Sequence, residues 1–393
     1  MRALTCSAQL CLSQLRAIAA KTLRLLATSV ALVLAASCGR VGFSALQSSD
    51  ANANADASVA DASSDAGGWW NAAWQFRKKV RFRNAQRNEG FDGMPVAISL
   101  PPSIADVALP SLDDVRFIEA DGSTELPYEI ERSVSRAAPP LLWLRVPRID
   151  AATDQDFVWL YYGNANPGGP GANPTAVWDS SYLLVQHFGA GSAASSSNVP
   201  LNLTVFNITR SDGLLAGDAA LFDRNAYVRI DDNAALHPSA MTITAWARKD
   251  ESQGMAAIVA RSNAVVPTSN DVGLFLGNGE CTIEYLRGTA PFNASIGCAT
   301  DASLHMHALV IGPDATRAYS DGISLFDITS TDPLAQSERP ITVGADINDG
   351  STTPNVGFFQ GLIDEVRIAN VARTAAWLDA ELAIGNGTFV VVE

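Results

Sequence analysis

Phe359-Gln-Gly-Leu-Ile-Asp-Glu-Val-Arg-Ile-Ala-Asn370, followed by Ala372-Arg-Thr-Ala-Ala-Trp377, is the stretch on which the fold turns. Gly361–Ile368 reads as a strand with Val366 and Ile368 buried. Side chains alternate across a strand, so the adjacent Asp364 and Glu365 are expected on opposite faces, in a structural role. A short helix fits Thr374–Leu382, with Thr374 as its N-cap and Gly385 following its end. Working backwards, further strands are expected at Leu183–Phe188, Tyr227–Ile230, Met241–Arg248, Ala256–Arg261, Gly273–Leu276, Gly279–Arg287, Asn293–Thr300, His305–Ile311, Arg317–Ser320 and Ile341–Val343. Many short strands at near-regular spacing predict a sandwich of two antiparallel sheets over 177–393.

An earlier block reads the same way. Lys79 to Arg83 alternates charged and apolar residues, as a half-buried strand does. Strands follow at Met94–Leu100, Val115–Glu119, Tyr128–Arg132, Leu141–Val146 and Phe157–Tyr162, punctuated by Pro, Gly and Asp. No segment there sustains a helical period, so 69–164 is a second all-β domain. The breaker-rich run Asn164–Pro174 ends it, and 165–176 is the linker.

Residues 69–164 resemble the family called domain of unknown function 2341. The matching pieces are Trp69-Trp-Asn-Ala-Ala-Trp74, Asp114-Val-Arg-Phe117, Leu126-Pro-Tyr-Glu-Ile-Glu131, Leu142-Trp-Leu-Arg-Val-Pro147 and Tyr161-Tyr-Gly-Asn164. Residues 178–393 resemble a laminin-G-like jelly roll of the concanavalin-A-like superfamily, through the opening block, Tyr227-Val-Arg-Ile230, Met241-Thr-Ile-Thr-Ala-Trp-Ala-Arg248 and Tyr319-Ser-Asp-Gly322. The first resemblance implies a secreted or surface β module without an assigned activity. The second implies binding of glycans or proteins, often with calcium, on a fold that also hosts glycosidases. One departure bears on calcium: after His187-Phe188, Gly189–Asn198 carries no carboxylate where relatives have an acidic turn.

The N-terminal 37 residues are expected to be an export signal. Arg16, Lys21 and Arg24 precede an apolar run, Leu25–Ala36, and small residues lead into Cys38, whose Sγ would receive a lipid. The run is too short to remain as a membrane-spanning helix. Residues 38–68 are rich in Ala, Ser, Asp and Asn and read as a disordered tether. The segment up to Cys38 holds four bases and no acid, leaving 23 bases against 41 acids in the mature chain, a net charge of −18. Nucleic acid is excluded as a partner, since binding it requires a basic face. The expected partners are a glycan or surface-protein ligand and, through the lipid, a membrane. The expected location is an outer membrane or cell surface.

Cys281 and Cys298 are expected to form a disulfide. A turn through Gly288–Pro291 lies midway between them, which would set them opposite each other in a hairpin. Glycoside hydrolysis needs two poised carboxylates, and no Glu-x-Asp-x-Glu or Glu-x-Asp-x-x-Glu run is present. Glu129 and Glu131 share a strand face, but without partners legible nearby. No Gly-x-Ser-x-Gly nucleophile elbow appears. His305 and His307 alternate on one strand, where packing is the better reading than metal. Calcium is the candidate cofactor, at Asp346-Ile-Asn-Asp-Gly350, where Asp346, Asn348 and Asp349 put three oxygen side chains on one loop. Trp143, Trp159 and Trp246 are expected in the core, and Trp377 is expected to dock the helix. Trp69, Trp70 and Trp74 lie at a domain edge.

The sequence thus predicts an exported lipoprotein with two β domains and no catalytic residues, acting in recognition or adhesion. A polysaccharide hydrolase or lyase is the alternative, requiring an acid pair assembled in space. A structural envelope component is the third reading.

Overall fold

The computed structural model describes residues 68–133, 140–189, 194–250, 254–263, 269–348, 351 and 353–393. The expected export signal, Cys38 and the tether lie outside them, as does Asp349. Among the described residues no helix is long and apolar enough to cross a membrane.

The first module is two antiparallel sheets. One contains β1 (Phe76–Phe82), β3 (Arg116–Glu119), β4 (Glu125–Leu126), β7 (Phe157–Tyr162) and β23 (Val390–Val392), in the order β23-β1-β7-β3-β4. The other contains β2 (Phe91–Ser99), β5 (Tyr128–Glu131) and β6 (Leu141–Ile149), in the order β2-β6-β5. The alternation read from Lys79 to Arg83 decides the facing. Val80 and Phe82 point into the core with Phe91, Phe117 and Leu144. The opposite face gathers Trp74, Ile118, Trp159 and Tyr161, with Trp70 packed on them. Arg77 lies 3.9 Å from the Trp159 ring centroid, which covers that face with a cation rather than a further sheet. Of the three edge tryptophans, Trp74 is buried and Trp69 remains 46% exposed.

The second module is the expected two-sheet sandwich. Its eight-stranded sheet contains β8 (Tyr182–Gln186), β10 (Thr209–Asp212), β11 (Asp218–Asp223), β13 (Met241–Lys249), β18 (His305–Ile311), β19 (Ala315–Ser320), β20 (Ile323–Thr329) and β22 (Gln360–Ala369). Their order is β10-β11-β22-β13-β18-β19-β20, with β8 also paired to β22. The facing seven-stranded sheet contains β9 (Leu203–Phe206), β12 (Tyr227–Ile230), β14 (Ala256–Ser262), β15 (Asn270–Leu276), β16 (Glu280–Arg287), β17 (Ala290–Gly297) and β21 (Ile341–Val343), in the order β17-β16-β15-β14-β21-β12-β9. Ile243, Ile258, Leu274, Ile283, Leu309 and Ile368 fill the space between them. Among the strands that the sequence did not announce, β10 is Thr-Arg-Ser-Asp and β4 only Glu-Leu, without the run of Val and Ile that marks a buried strand.

The disulfide joins Cys281 and Cys298, with Cα atoms 5.6 Å apart. The register differs from expectation. Arg287 pairs with Ala290 and Cys281 with Ile296, so Cys298 lies opposite Gly279 and the bond is diagonal. The cause is a two-residue loop, Gly288-Thr289, with Gly288 at φ +57°, which moves the hairpin centre towards β16.

The C-terminal helix, Ala375–Gly385, is N-capped by Thr374, whose side chain accepts from Trp377 N at 3.1 Å. Its end differs from the reading made above. Gly385 lies inside the helix, where a Cβ would overlap the Trp246 ring. The left-handed residue is Gly387, at φ +66°. Thr388 N donates to Ala383 O and Gly387 N to Ile384 O, closing a Schellman motif. Trp377, Ala380 and Ile384 enter the core of the first module, while Leu378 and Leu382 pack on Trp246, Met306 and Tyr319 of the eight-stranded sheet. The chain then returns to the first module: Phe389 is fully buried there, and Val390–Val392 pair with Phe82–Val80. The helix and the first module therefore cover the outer side of the eight-stranded sheet.

Candidate functional site

The seven-stranded sheet keeps a groove on its outer side, with a volume of about 260 Å³. Small residues make room for it: Ala257 and Ala260 form a separate outer cluster with Phe275, and Gly273 lies beneath the Phe275 ring. Exposed Met255 and Val356 supply apolar walls. The polar residues are Asn270, Glu284, Asp346 and Asn348. Asn270 Nδ2 donates to Glu284 Oε2 at 2.7 Å and to Asp346 Oδ2 at 3.3 Å, so these two carboxylate oxygens lie at most 6.0 Å apart. Asn293 Nδ2 donates to Glu284 Oε1 at 2.7 Å. Ile347 N donates to Asp346 Oδ1 at 2.7 Å. Burial pushes Asp346 up to about 6, against the pull of the Ile347 and Asn270 hydrogen bonds. Burial also raises Glu284.

Two features of the groove depend on packing rather than on any run of sequence. An acid pair is assembled in space, from β16 and the loop after β21, although no sequence run contains it. Asn270 and Glu284 bring further oxygens beside Asp346; of the expected calcium loop, Asn348 lines the same groove with its backbone tied to Asn355, and Asp349 lies outside the described residues. Asn270 Oδ1 is buried without a hydrogen-bond partner. Turned over, that amide would present a third oxygen between the two carboxylates, so the donor set fits a hard cation.

A second polar cluster is closed within the protein, where the two modules meet. It begins with an irregularity in β22. Thr244 pairs with Arg367 but Trp246 with Asp364, and the bulged residue, Glu365, has φ +48°. The bulge breaks the alternation expected for Asp364 and Glu365. Asp364 accepts from Leu214 N at 2.9 Å, and Glu365 Oε1 lies 2.7 Å from His187 Nδ1. Arg367, two residues on, donates to Glu365 Oε2 at 2.6 Å and to Glu381 Oε1 of the helix at 3.2 Å. The first module contributes Glu129 and Glu131 from one face of β5. Trp178 Nε1 donates to Glu129 Oε2 at 2.7 Å, and Trp143 Nε1 to Glu131 Oε2 at 2.9 Å. His187 lies between those indoles, 5.2 Å from Trp143 and 5.3 Å from Trp178 by ring centroids. Its Nδ1 is 3.7 Å from Glu131 Oε2. Its Nε2 is 3.5 Å from Glu129 Oε2 and makes no hydrogen bond.

The electrostatics follow from the crowding. Burial, then the charge of Glu365, pushes Glu131 up to about 7. Burial and the same neighbour raise Asp364 well above the carboxylate range. Burial opposes the charged imidazole of His187, but Glu365 and Glu129 outweigh it and raise that group well above its ordinary value. The partners that Glu129 and Glu131 lack in local sequence arrive from positions 143, 178, 187 and 365.

His305 and His307 do share a face, with ring centroids 6.5 Å apart, but in separate environments. His305 lies between Asp301 and Asp321. His307 is fully buried, with Nδ1 3.3 Å from Cys281 Sγ, and burial holds it down at about 4.

Residues 222–379 match the concanavalin A-like lectin/glucanases superfamily. Residues 111–194 match the domain of unknown function DUF2341. The DUF2341 match runs past the expected linker and includes Trp178, β8 and His187, in keeping with Val177, Trp178, Tyr182 and Val185 lying in the first module's core. The groove lies on the concanavalin-A-like domain, and the closed cluster joins the two matched regions.

No curated protein sequence matches the chain. Solved structures with a similar partial fold include the binding domain of Paraclostridial Mosquitocidal Protein 1, at 10% identity and TM-score 0.42, over 51% of this chain and 52% of that one. Domain 4 of AbnA, a GH43 extracellular arabinanase from Geobacillus stearothermophilus, aligns at 16% identity and TM-score 0.39, over 51% of this chain and 98% of that one. The binding domain of Botulinum neurotoxin DC aligns at 9% identity and TM-score 0.40, over 51% of each chain. The chain thus spans about half the length of the toxin binding domains it matches.

Proposed function

We propose that the protein is a surface recognition module that binds a glycan in the groove of its concanavalin-A-like domain, without catalysis, and is held at a membrane by a lipid on Cys38. The observation that carries the reading is the groove itself: apolar Met255, Phe275 and Val356 beside Asn270, Glu284 and Asp346. Apolar walls with a few convergent polar groups suit a sugar, which offers a CH-rich face and a hydroxyl rim. The opposite outer side of the sandwich is taken up by the helix and the first module, which leaves the grooved side for a ligand. When bound, calcium would be held by Asn270, Glu284 and Asp346 and would offer sugar hydroxyls a coordination site. The anchor rests on the charged, apolar and small-residue order that leads into Cys38.

The test is a glycan array probed with residues 68–393, with calcium and again with chelator. Residues 64–393 form one compact unit, so that fragment is the appropriate probe. Saturable binding that is lost in Glu284→Gln and Asp346→Asn supports the reading, and its loss on chelation adds calcium. Absence of binding across the array would remove the glycan and leave a protein ligand or a structural role. Incorporation of labelled fatty acid by the full chain, abolished in Cys38→Ser, tests the anchor.

A second reading has one specific observation behind it. Retaining glycosidases place two carboxyl groups about 5–5.5 Å apart, and Glu284 Oε2 and Asp346 Oδ2, both hydrogen-bonded to Asn270 Nδ2 at 2.7 and 3.3 Å, lie close enough to permit such a pair. Release of reducing ends from a bound polysaccharide, absent in Glu284→Gln, would establish hydrolysis.

A further inference from the structure

We infer that Glu131, His187 and Glu365 form a closed site for one divalent transition-class cation, zinc in the first instance, at the junction of the two modules. The three ligating atoms lie within 4.8 Å of one another. Zinc binds imidazole nitrogen and carboxylate oxygen at about 2.1 Å, and tetrahedral ligands then stand about 3.4 Å apart. His187 Nδ1 is 2.7 Å from Glu365 Oε1 and 3.7 Å from Glu131 Oε2, which brackets that value. Opening the 2.7 Å contact between His187 and Glu365 by about 0.7 Å would admit the ion.

The charge count favours it. Burial holds Asp364 neutral, which leaves four carboxyl groups (Glu129, Glu131, Glu365 and Glu381) around two bases, His187 and Arg367. Excess negative charge taken out of water is costly unless a cation joins it. Arg367 occupies Glu365 Oε2 and leaves Oε1 facing the histidine.

The histidine supplies the independent observation. It is 4% exposed, and its Nε2 makes no hydrogen bond. Metal-bound histidines characteristically donate their second ring N–H to a carboxylate, which fixes the tautomer. With the ion on Nδ1, the remaining proton belongs on Nε2, and Glu129 Oε2 is 3.5 Å away in that direction. Binding releases the Nδ1 proton to solvent and changes no oxidation state. Trp143 stacks on the imidazole, Trp178 lies tilted against it and all three ligand residues are buried, so the ion is structural and enters as the modules assemble.

The full chain is unfolded in denaturant with chelator and refolded with zinc, manganese, calcium or no metal. Metal content is then measured after desalting, together with the melting temperature. The expected result is about one zinc per wild-type chain and a higher melting temperature than the metal-free sample. His187→Gln should retain less than a tenth as much zinc and show no zinc-dependent shift. If His187→Gln fails to fold, Glu131→Gln, which keeps the side chain's shape, replaces it with the same expectation. Equal zinc retention by wild type and variant, or no stoichiometric zinc in wild type, overturns the inference.

Discussion

Phe389→Ala tests the return of the chain to its first module. Phe389 is fully buried among residues that include Val80, Phe82 and Phe91, which precede it by about 300 positions. Its backbone is also committed: Arg83 N donates to its carbonyl at 2.8 Å, and its own N–H reaches Ala383 O at 3.1 Å. Truncation leaves that backbone pairing in place but opens a cavity the size of a phenyl ring. Transfer and cavity costs together give about 3–5 kcal/mol for such a change in a core that cannot collapse. With a urea m-value of about 3 kcal/mol/M, at the upper end of the small-protein range, the midpoint should fall by roughly 1–1.7 M. Tryptophan fluorescence of residues 68–393 reads the loss, and hydrogen exchange locates it. Protection should fall in β1, β7 and the C-terminal helix, and less in β14–β16. A midpoint shift under 0.3 M, on the order of 1 kcal/mol, would refute the packing argument. Loss confined to the concanavalin-A-like domain would refute the assignment of Phe389 to the first module's core.

Gly344→Ala should be severely destabilising, by melting temperature, because Gly344 has φ +77° and a Cβ there would overlap the Phe222 ring. Reducing the Cys281–Cys298 bond should cost about 3 kcal/mol in the chain-entropy account; denaturation curves with and without reductant measure it. Asp346 gives a pH dependence with a definite sign. Its folded value, about 6, lies above the ordinary 3.8, so the buried neutral form is favoured and that contribution fades as pH rises from 4 through 6. Asp346→Asn should flatten stability across this window, and calcium affinity at the groove should increase through pH 6 in wild type only, by calorimetry. Thr374→Ala should cost about 1 kcal/mol through the lost N-cap.

Most of the architecture was legible because its elements carry their own periodicity. Val80 and Phe82 declare an inward face, Met241–Arg248 a strand, and Thr374 a helix start. What escaped was what depends on pairing. The diagonal disulfide follows from a two-residue loop whose position the sequence leaves open between Gly288 and Pro291. The shared side of Asp364 and Glu365 follows from a bulge, and strict alternation predicts the opposite. Glu129 and Glu131 were visible as a same-face pair, but His187 and Glu365 reach them only through the packing of two sandwiches. Asn270, Glu284 and Asp346 are separated by 14 and 62 positions, so no local pattern could join them. Gly385 looked like a helix terminator because a glycine's reason, here the width of the Trp246 indole, is written elsewhere in the chain.

The pairing of β1 with β23 orders events in time. During synthesis β1 emerges early, and one of its edges stays unpaired until more than 300 further residues have followed. An open strand edge is a template for wrong partners. Arg77, Lys78, Lys79 and Arg81 place four positive charges along this strand, and mutual repulsion between two such edges discourages self-association while the chain waits. The first module to be made is thus the last to be finished, and arrest or cleavage before Val390 would release a product whose defect lies at its opposite end.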